Sequence, residues 1–181
     1  MSSSDQTAAL CLEARDNGIT GIVAQVLHFP VVCHPKFFPR DKYEYGSYVQ
    51  NHSEPVLNVH LMEAFLDAYM PNAEPDHRHS PLLAASHSDL PPTCELPGGP
   101  FSLVVADLPF YPVIQIGGHD ILRDDGFAYA DALTDAGVDV EVYAYKGVPH
   151  CFPPILRDSP ETVQFYDRFT KFVDKYGGKR Q

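Results

Sequence analysis

The second half of the chain alternates short apolar stretches with segments of helical pattern, and this order limits the fold more than any other feature. "YPVIQIG" (111–117) and "VDVEVYAY" (138–145) are rich in β-branched and aromatic residues and predict strands. Residues 123–136 predict a helix, and Ser159 and Pro160 predict the N-cap and first turn of another. Because strands that alternate with helices build a parallel sheet with helices on its faces, we predict an α/β fold.

The first half contains elements of the same kinds. Residues 3–17 predict a helix, and "GITGIVAQVLHFPVV" (18–32) is the near-continuous apolar run of a strand buried on both faces. A helix is predicted over 58–70, before Pro71, and "FSLVVADL" (101–108) predicts a further strand. The predicted inward stripe of the helix at 58–70 is Leu61, Phe65, Leu66 and Tyr69. The predicted inward stripe of the last helix is Val163, Tyr166, Phe169, Val173 and Tyr176.

Two stretches, 34–57 and 71–110, have no clean period and predict long loops or inserts. Proline, glycine and tyrosine are spread through the first, and proline is frequent in the second. Long loops in compact domains often form the walls or lids of functional sites. With 181 residues and no internal repeat, the chain is predicted to be one domain, 1–181.

Charge and cysteine use limit the classes of function. A formal net charge of −11 leaves no basic surface to neutralise nucleic-acid phosphates. The four cysteines form no C-x-x-C pair, which favours a reduced, intracellular protein over a zinc ribbon. "MSSSDQTAAL" has no signal-peptide pattern and no apolar run reaches 18 residues, so we expect a cytoplasmic protein without a membrane span. His77 and His79 have the spacing of a metal pair, but a solvated loop explains them and we expect no metal site.

Asp120 and His150 occupy equivalent positions in the predicted sheet. Asp120 lies just after the strand that ends at Ile116, and His150 lies just after the strand that ends at Tyr145. The carboxyl ends of parallel strands meet at one edge of a sheet, where α/β enzymes hold their ligands. A carboxylate that orients an imidazole frees the other ring nitrogen to act as a base, so the two residues predict part of a nucleophilic triad.

These segments carry a family resemblance. "GHDILRDDGFAYADAL" followed by "VEVYAYKGVPHCF" resembles the C-terminal half of the α/β-hydrolase fold-3 family, which is similar to hormone-sensitive lipase. "SPLLA" (80–84) and "AALCLEARDNG" are similar to its lead-in to the acid strand and to the helix after its nucleophile. The resemblance implies a partial α/β-hydrolase fold without its N-terminal strands, with Asp120 as triad acid and His150 as triad base. It also implies small-molecule ester substrates and no metal or organic cofactor.

The chain departs from the family pattern in ways that bear on activity. No G-x-S-x-G nucleophile elbow and no H-G-G-G oxyanion motif occur in it, and the family's serine would align near Met1. About twenty residues, "TCELPGGPFSLVVADLPFYP", intervene before the acid strand, as a true insertion or an intron read through. Ile121 replaces the usual proline after the acid, and Cys151 replaces the usual glycine after the histidine. We therefore expect an ester hydrolase that is impaired or inactive as this chain.

Other interpretations remain open at this stage. Ser2, Ser3 or Ser4 as a displaced nucleophile is disfavoured because a nucleophile needs a rigid elbow. Cys151 as a thiol nucleophile is disfavoured because adjacent side chains in an extended segment point apart. The chain is alternatively a non-catalytic partner module, with "GIVAQVL" as an exposed sheet edge that invites association, or the product of an incomplete gene model.

Overall fold

A parallel sheet of three strands forms the centre of the computed structural model of the protein. The structure describes residues 3–19, 22, 24–90 and 113–176. The strands are β1 (Val26–His28), β2 (Val113–Gly117) and β3 (Glu141–Tyr145). They lie in the order β1-β2-β3, and both pairings are parallel. The predicted α/β fold with a parallel sheet and flanking helices is therefore confirmed.

Helices connect and flank these strands close to the predicted positions. They are α1 (Ser3–Asp16), α2 (Ser47–Gln50), α3 (Val59–Tyr69), α4 (Arg123–Asp135) and α5 (Pro160–Tyr176), with a 3₁₀ turn at Pro81–Leu83. Side-chain caps fix two of their starts. The Asn58 Oδ1 accepts the Leu61 N–H at 2.9 Å before α3, and the Ser159 Oγ accepts the Thr162 N–H at 3.1 Å before α5. No helix within the described ranges has both the length and the apolar character needed to cross a membrane.

Alternate side chains of the strands are buried on opposite faces of the sheet. On one face, Leu27, Ile114 and Ile116 pack with residues of α1 and α4. On the other face, Val26 and Val113 pack with Phe169 and Phe172 of α5. Each large apolar side chain buried in this way contributes about 1.5–3 kcal/mol relative to exposure. The sheet is thus covered on both faces, and the side chains after its strands lie at one edge.

The inward faces of two helices differ from the predicted stripes. In α3 the buried residues are Met62 and Leu66, whereas Leu61, Phe65 and Tyr69 are between 37% and 56% exposed. In α5 the buried aromatic residues are Phe165, Phe169 and Phe172. The predicted Val163 and Tyr166 are instead exposed. In α3 apolar side chains cover more than half of the circumference, so the period alone does not select the inward face. In α5 the predicted Phe169 is buried, and the inward face is rotated towards Phe165 and Phe172.

The prediction that the run 18–32 contains a strand buried on both faces is confirmed for β1, because Val26 and Leu27 have no exposed surface. Among the described strands β1 pairs with β2 alone, and association through its other edge stays a prediction. The regular strand is also shorter than the predicted run 18–32. Of the two predicted loops, 34–57 includes α2, and the described part of 71–110 includes the 3₁₀ turn. The predicted strand 101–108 lies outside the described residues.

Candidate active site

Backbone contact between two loops brings the candidate residues together. The Gly118 N–H, just after β2, donates to the Tyr145 carbonyl at the end of β3 at 2.7 Å. A Cβ atom on Gly117 would lie 2.8 Å from the Pro149 carbonyl oxygen, and one on Gly118 would lie 2.9 Å from that of Tyr145. The two glycines of "IGGHD" therefore allow a close approach that any side chain would prevent.

Asp120 and His150 form a hydrogen-bonded ion pair at the meeting point of these loops. The Asp120 Oδ2 lies 2.7 Å from the His150 Nδ1. The other carboxylate oxygen, Oδ1, accepts the Leu122 N–H at 2.9 Å, which fixes the orientation of the carboxylate. The Asp120 side chain is 1% exposed, and that of His150 is 17% exposed. The structure thus brings together the two residues singled out in the sequence, and their catalytic roles stay a prediction.

The electrostatics of the pair favour a charged imidazole. Burial lowers the pKa of His150, but the Asp120 carboxylate and the Cys151 thiol outweigh burial and raise that pKa to about 10. The ring also meets the ring of Phe29 edge-on at a centroid distance of 5.5 Å. The Asp120 carboxylate therefore favours the imidazolium, the form that a triad histidine takes after it has accepted a proton.

Ser47 of α2 and Asn51, the residue after α2, hold the loop that contains Asp120 through contacts that the sequence did not indicate. The Asn51 Nδ2 donates to the Asp120 carbonyl at 2.9 Å, and the Ser47 Oγ donates to the Ile121 carbonyl at 2.6 Å. The Ser47 N–H donates to the Asp124 Oδ2 at 2.7 Å. Ser47 and Asn51 lie in the predicted loop 34–57, which offered no periodic signal that could have singled them out.

A largely apolar cavity opens beside His150. Its volume is about 370 Å³. The side chains that line it come from the segment after β1, from α3 and the residues next to it, from His79, and from the loops after β2 and β3. They are Val31, His34, Leu57, Met62, Phe65, Leu66, Tyr69, Met70, His79, Leu122 and His150. A concave apolar site with a few polar groups is the usual form of a small-molecule pocket.

Comparison with known proteins identifies the family. The sequence pattern of a family described as alpha/beta hydrolase fold matches residues 6–154, most of the chain. This chain belongs to the hormone-sensitive-lipase-like family of α/β-hydrolases. A carboxylesterase of Mycobacterium tuberculosis, NlhH, is 34% identical over 138 residues, which are 75% of this chain and 36% of the relative. An AB hydrolase superfamily protein of Schizosaccharomyces pombe is 29% identical over 141 residues, 77% of this chain and 36% of the relative.

Two solved structures share the fold of this chain. A thermostable esterase from Pseudomonas putida superposes with a TM-score of 0.77 at 24% identity, over 98% of this chain and 49% of the esterase. Vibralactone cyclase superposes with a TM-score of 0.76 at 25% identity, over 97% of this chain and 47% of the cyclase. The chain therefore spans about a third of the length of these sequence relatives and about half of the solved folds.

Cys151 occupies the position of the family's glycine and keeps a glycine-like backbone. Its φ of 49° lies in the left-handed region, which strains a residue with a side chain. Cys151 is among the groups that raise the pKa of His150, and its lack of a nucleophilic role stays a prediction. Cys151 is exposed and reduced, whereas Cys11 and Cys33 are buried and reduced.

The two histidines that have the spacing of a metal pair, His77 and His79, make contacts within the protein. His79 uses both ring nitrogens within the protein, with Nδ1 2.9 Å from the Ser80 Oγ and Nε2 2.9 Å from the Glu74 carbonyl. His77 lies 3.6 Å from a Glu13 carboxylate oxygen. Across the residues that the structure describes, no group of three or more His, Cys, Asp or Glu side chains is arranged to hold a metal ion.

Proposed function

We propose that this chain carries the acid and the base of a carboxylic-ester hydrolase. In this proposal Asp120 orients and stabilises His150, and the adjoining cavity holds the substrate. The observation that carries it is the 2.7 Å contact between the Asp120 Oδ2 and the His150 Nδ1 at the wall of an apolar cavity. The esterase and carboxylesterase names of the relatives support the same reaction class.

The chemistry assigns a separate step to each residue. A serine hydroxyl attacks the ester carbonyl while the His150 Nε2 takes the hydroxyl proton, and the same nitrogen then gives that proton to the leaving alcohol. The Asp120 carboxylate stabilises the imidazolium between these two transfers. Because the sequence contains no G-x-S-x-G elbow, we propose that this chain alone turns esters over slowly or not at all.

An ester assay on the purified chain tests whether the chain alone turns esters over. We expect that hydrolysis of p-nitrophenyl butyrate by the purified chain equals hydrolysis by its His150→Ala variant. Robust turnover that His150→Ala abolishes would contradict slow turnover and would point to a nucleophile within this chain.

A chimera tests the assigned roles. The N-terminal part of the carboxylesterase NlhH, up to and including its nucleophile elbow, would be fused before residue 3. We expect the fusion to hydrolyse p-nitrophenyl butyrate and to lose about 10³–10⁴-fold in kcat with Asp120→Asn or His150→Ala. The matched control is His60→Ala, an exposed histidine of α3 that does not line the cavity. An active fusion that keeps its rate in both site variants would refute the assignment.

One observation favours a second candidate, a non-catalytic binding module. The sequence contains no G-x-S-x-G elbow to hold a nucleophile, while the cavity beside His150 remains open. A module of this kind would bind ligands such as esters in the cavity without cleaving them. Ligand binding by the chain, with equal ester hydrolysis by the chain and its His150→Ala variant, would support it.

A further inference from the structure

His34 is a buried histidine on the wall of the cavity that the proposed reaction does not use. It follows β1 at the edge of the sheet where His150 lies, and it is 7% exposed. The Ser80 Oγ accepts its backbone N–H at 3.0 Å, and the Phe37 ring lies beside the imidazole at 5.3 Å. These contacts within the protein fix the position of the imidazole.

The hydrogen bonds of His34 determine where its ring proton lies. The Lys36 backbone N–H donates to the His34 Nδ1 at 3.2 Å, so this nitrogen carries no proton. Burial, followed by the charges of Lys36 and His79, lowers the pKa of His34, so the ring is neutral at pH 7. A neutral imidazole with a bare Nδ1 carries its proton on Nε2. Among the described residues, this Nε2–H has no hydrogen-bond partner.

The other histidines on the cavity wall are engaged with other groups. His79 donates its Nε2–H to the Glu74 carbonyl, and the His150 Nδ1 lies against the Asp120 carboxylate, whose charge balances a positive charge on the imidazole. Among the residues that the structure describes, no lysine or arginine lines the cavity. The cavity thus presents a neutral donor to its contents and no uncompensated positive charge. An uncharged oxygen acceptor fits this arrangement, whereas a carboxylate would lose its hydration without gaining a counter-ion.

We propose that the His34 Nε2–H is a specificity-determining donor. It selects uncharged ligands that carry an ester or ketone oxygen over hydrocarbons and carboxylates of the same size. The inference rests on the proposed function, because it takes the cavity as the substrate site, and it adds the residue that recognises the substrate oxygen. A volume of about 370 Å³ is roughly twelve times the volume of one liquid water molecule. The cavity therefore suits short esters and small aromatic carbonyl compounds.

Three small aromatic probes of equal heavy-atom count test the proposal without any bond to hydrolyse. Acetophenone offers a ketone oxygen, cumene replaces that oxygen by a methyl group, and benzoate replaces the methyl group by a charged oxygen. Dissociation constants would be measured by NMR titration of the full chain. We expect His34→Phe to weaken acetophenone binding about fivefold, the value of one neutral hydrogen bond, and to leave cumene binding within about twofold.

Two further variants control for changes in shape. His34→Gln keeps an N–H donor and is expected to retain most of the acetophenone affinity. His60→Gln changes an exposed histidine outside the cavity and is expected to change neither affinity. If His34→Phe fails to fold, the wild-type chain still answers the question. The His34 ring should show the Nε2–H tautomer, and its Nε2 resonance should move with acetophenone and stay in place with cumene.

Several outcomes would overturn the proposal. They are equal losses for acetophenone and cumene in His34→Phe, tighter binding of benzoate than of acetophenone, an Nε2 resonance that ignores acetophenone, and no binding of any probe. Because no probe is an ester, a chain that hydrolyses nothing can still confirm the role of His34. Conversely, an active chimera whose chain binds all probes without regard to His34 refutes this proposal alone.

Discussion

Asp125 is a fully buried carboxyl group in the first turn of α4. Its Oδ1 accepts the Val32 N–H at 3.3 Å, and its Oδ2 has no hydrogen-bond partner in the part of the chain that the structure describes. Burial raises the pKa of Asp125 well above its usual value, the Val32 hydrogen bond opposes that rise, and the neighbouring Asp120 charge adds to it. The folded protein therefore binds a proton on Asp125 more tightly than the unfolded chain does.

Replacing Asp125 by asparagine is expected to stabilise the protein in a pH-dependent way. A carboxyl whose folded pKa is raised contributes stability that is complete below the unfolded pKa and is lost as the pH rises towards the folded pKa. Asparagine cannot ionise, so Asp125→Asn should raise the free energy of unfolding by roughly 1–2 kcal/mol at pH 7 and change it little near pH 4. Urea unfolding at both pH values measures this effect. Asp131→Asn, on the exposed side of α4, is the control.

The opposite result for Asp125→Asn would be a loss of stability of the same size at both pH values. That result would show that the Asp125 carboxylate is ionised and satisfied in the folded protein.

At the residue scale the sequence predicted the pair but not its surroundings. Asp120 and His150 were recognisable because each follows a strand, and parallel strands bring such residues to one edge. Asn51, Ser47 and His34 had no comparable signal. Asn51 bonds to a residue 69 positions away and Ser47 to one 77 positions away, and such contacts exist only once the chain has folded.

At the scale of elements, the loops after β2 and β3 are joined by backbone contact. Gly117 faces the Pro149 carbonyl, and Gly118 bonds to the Tyr145 carbonyl. Gly126 of α4 makes a different close contact, because a Cβ there would meet the Ile116 side chain at 2.9 Å. A backbone atom cannot move aside without moving its loop, whereas the end of a flexible side chain can change rotamer.

We expect Gly117→Ala to separate the two loops. The new methyl group would meet the Pro149 carbonyl, so the free energy of unfolding should fall by roughly 2 kcal/mol, and the pKa of His150 should fall towards 6.5 as the imidazole leaves Asp120. Urea unfolding and NMR titration of His150 measure the two effects. Gly126→Ala serves as the matched control, with a smaller loss of stability and no change at His150. A Gly117→Ala protein with wild-type stability and titration would contradict the role given to this contact.

The elements themselves were predictable, but the faces that they bury were less so. The cap Ser159 marked the start of α5 because a cap is a local interaction, whereas Asn58, which caps α3, was not singled out in the sequence. The inward face of α3 was predicted incorrectly because the helix has apolar residues on two sides. Met62 and Leu66 face the core and also line the cavity, whereas Phe65 and Tyr69 are exposed and line the cavity only. A hydrophobic stripe does not distinguish a core from a cavity wall.

At the scale of the whole molecule, the order of strands and helices determined the fold class. Strands that alternate with helices in the second half predicted the parallel sheet that β2 and β3 form. The apolar run 18–32 likewise predicted the burial of β1 on both faces, and Val26 and Leu27 are fully buried. The run itself did not indicate that β1 would lie at the end of the described sheet, paired with β2 alone.

The pair formed by Asp120 and His150 connects the fold to the proposed reaction. Because the pKa of His150 is raised above 6.5, the pair contributes stability that is fully present below pH 6.5 and is lost as the pH rises through about 10. The same interaction is what a triad needs in order to stabilise its imidazolium. The proposed reaction therefore depends on a direct interaction between these two side chains in solution.

Titration of the His150 ring by NMR tests this interaction most directly. The account predicts that the imidazole of the wild-type chain titrates near pH 10, that Asp120→Asn lowers its pKa by more than one unit, and that the control Asp131→Asn leaves it unchanged. A His150 that titrates near pH 6.5 in the wild-type chain and in Asp120→Asn alike would show that Asp120 does not hold the imidazolium, and would contradict the central claim.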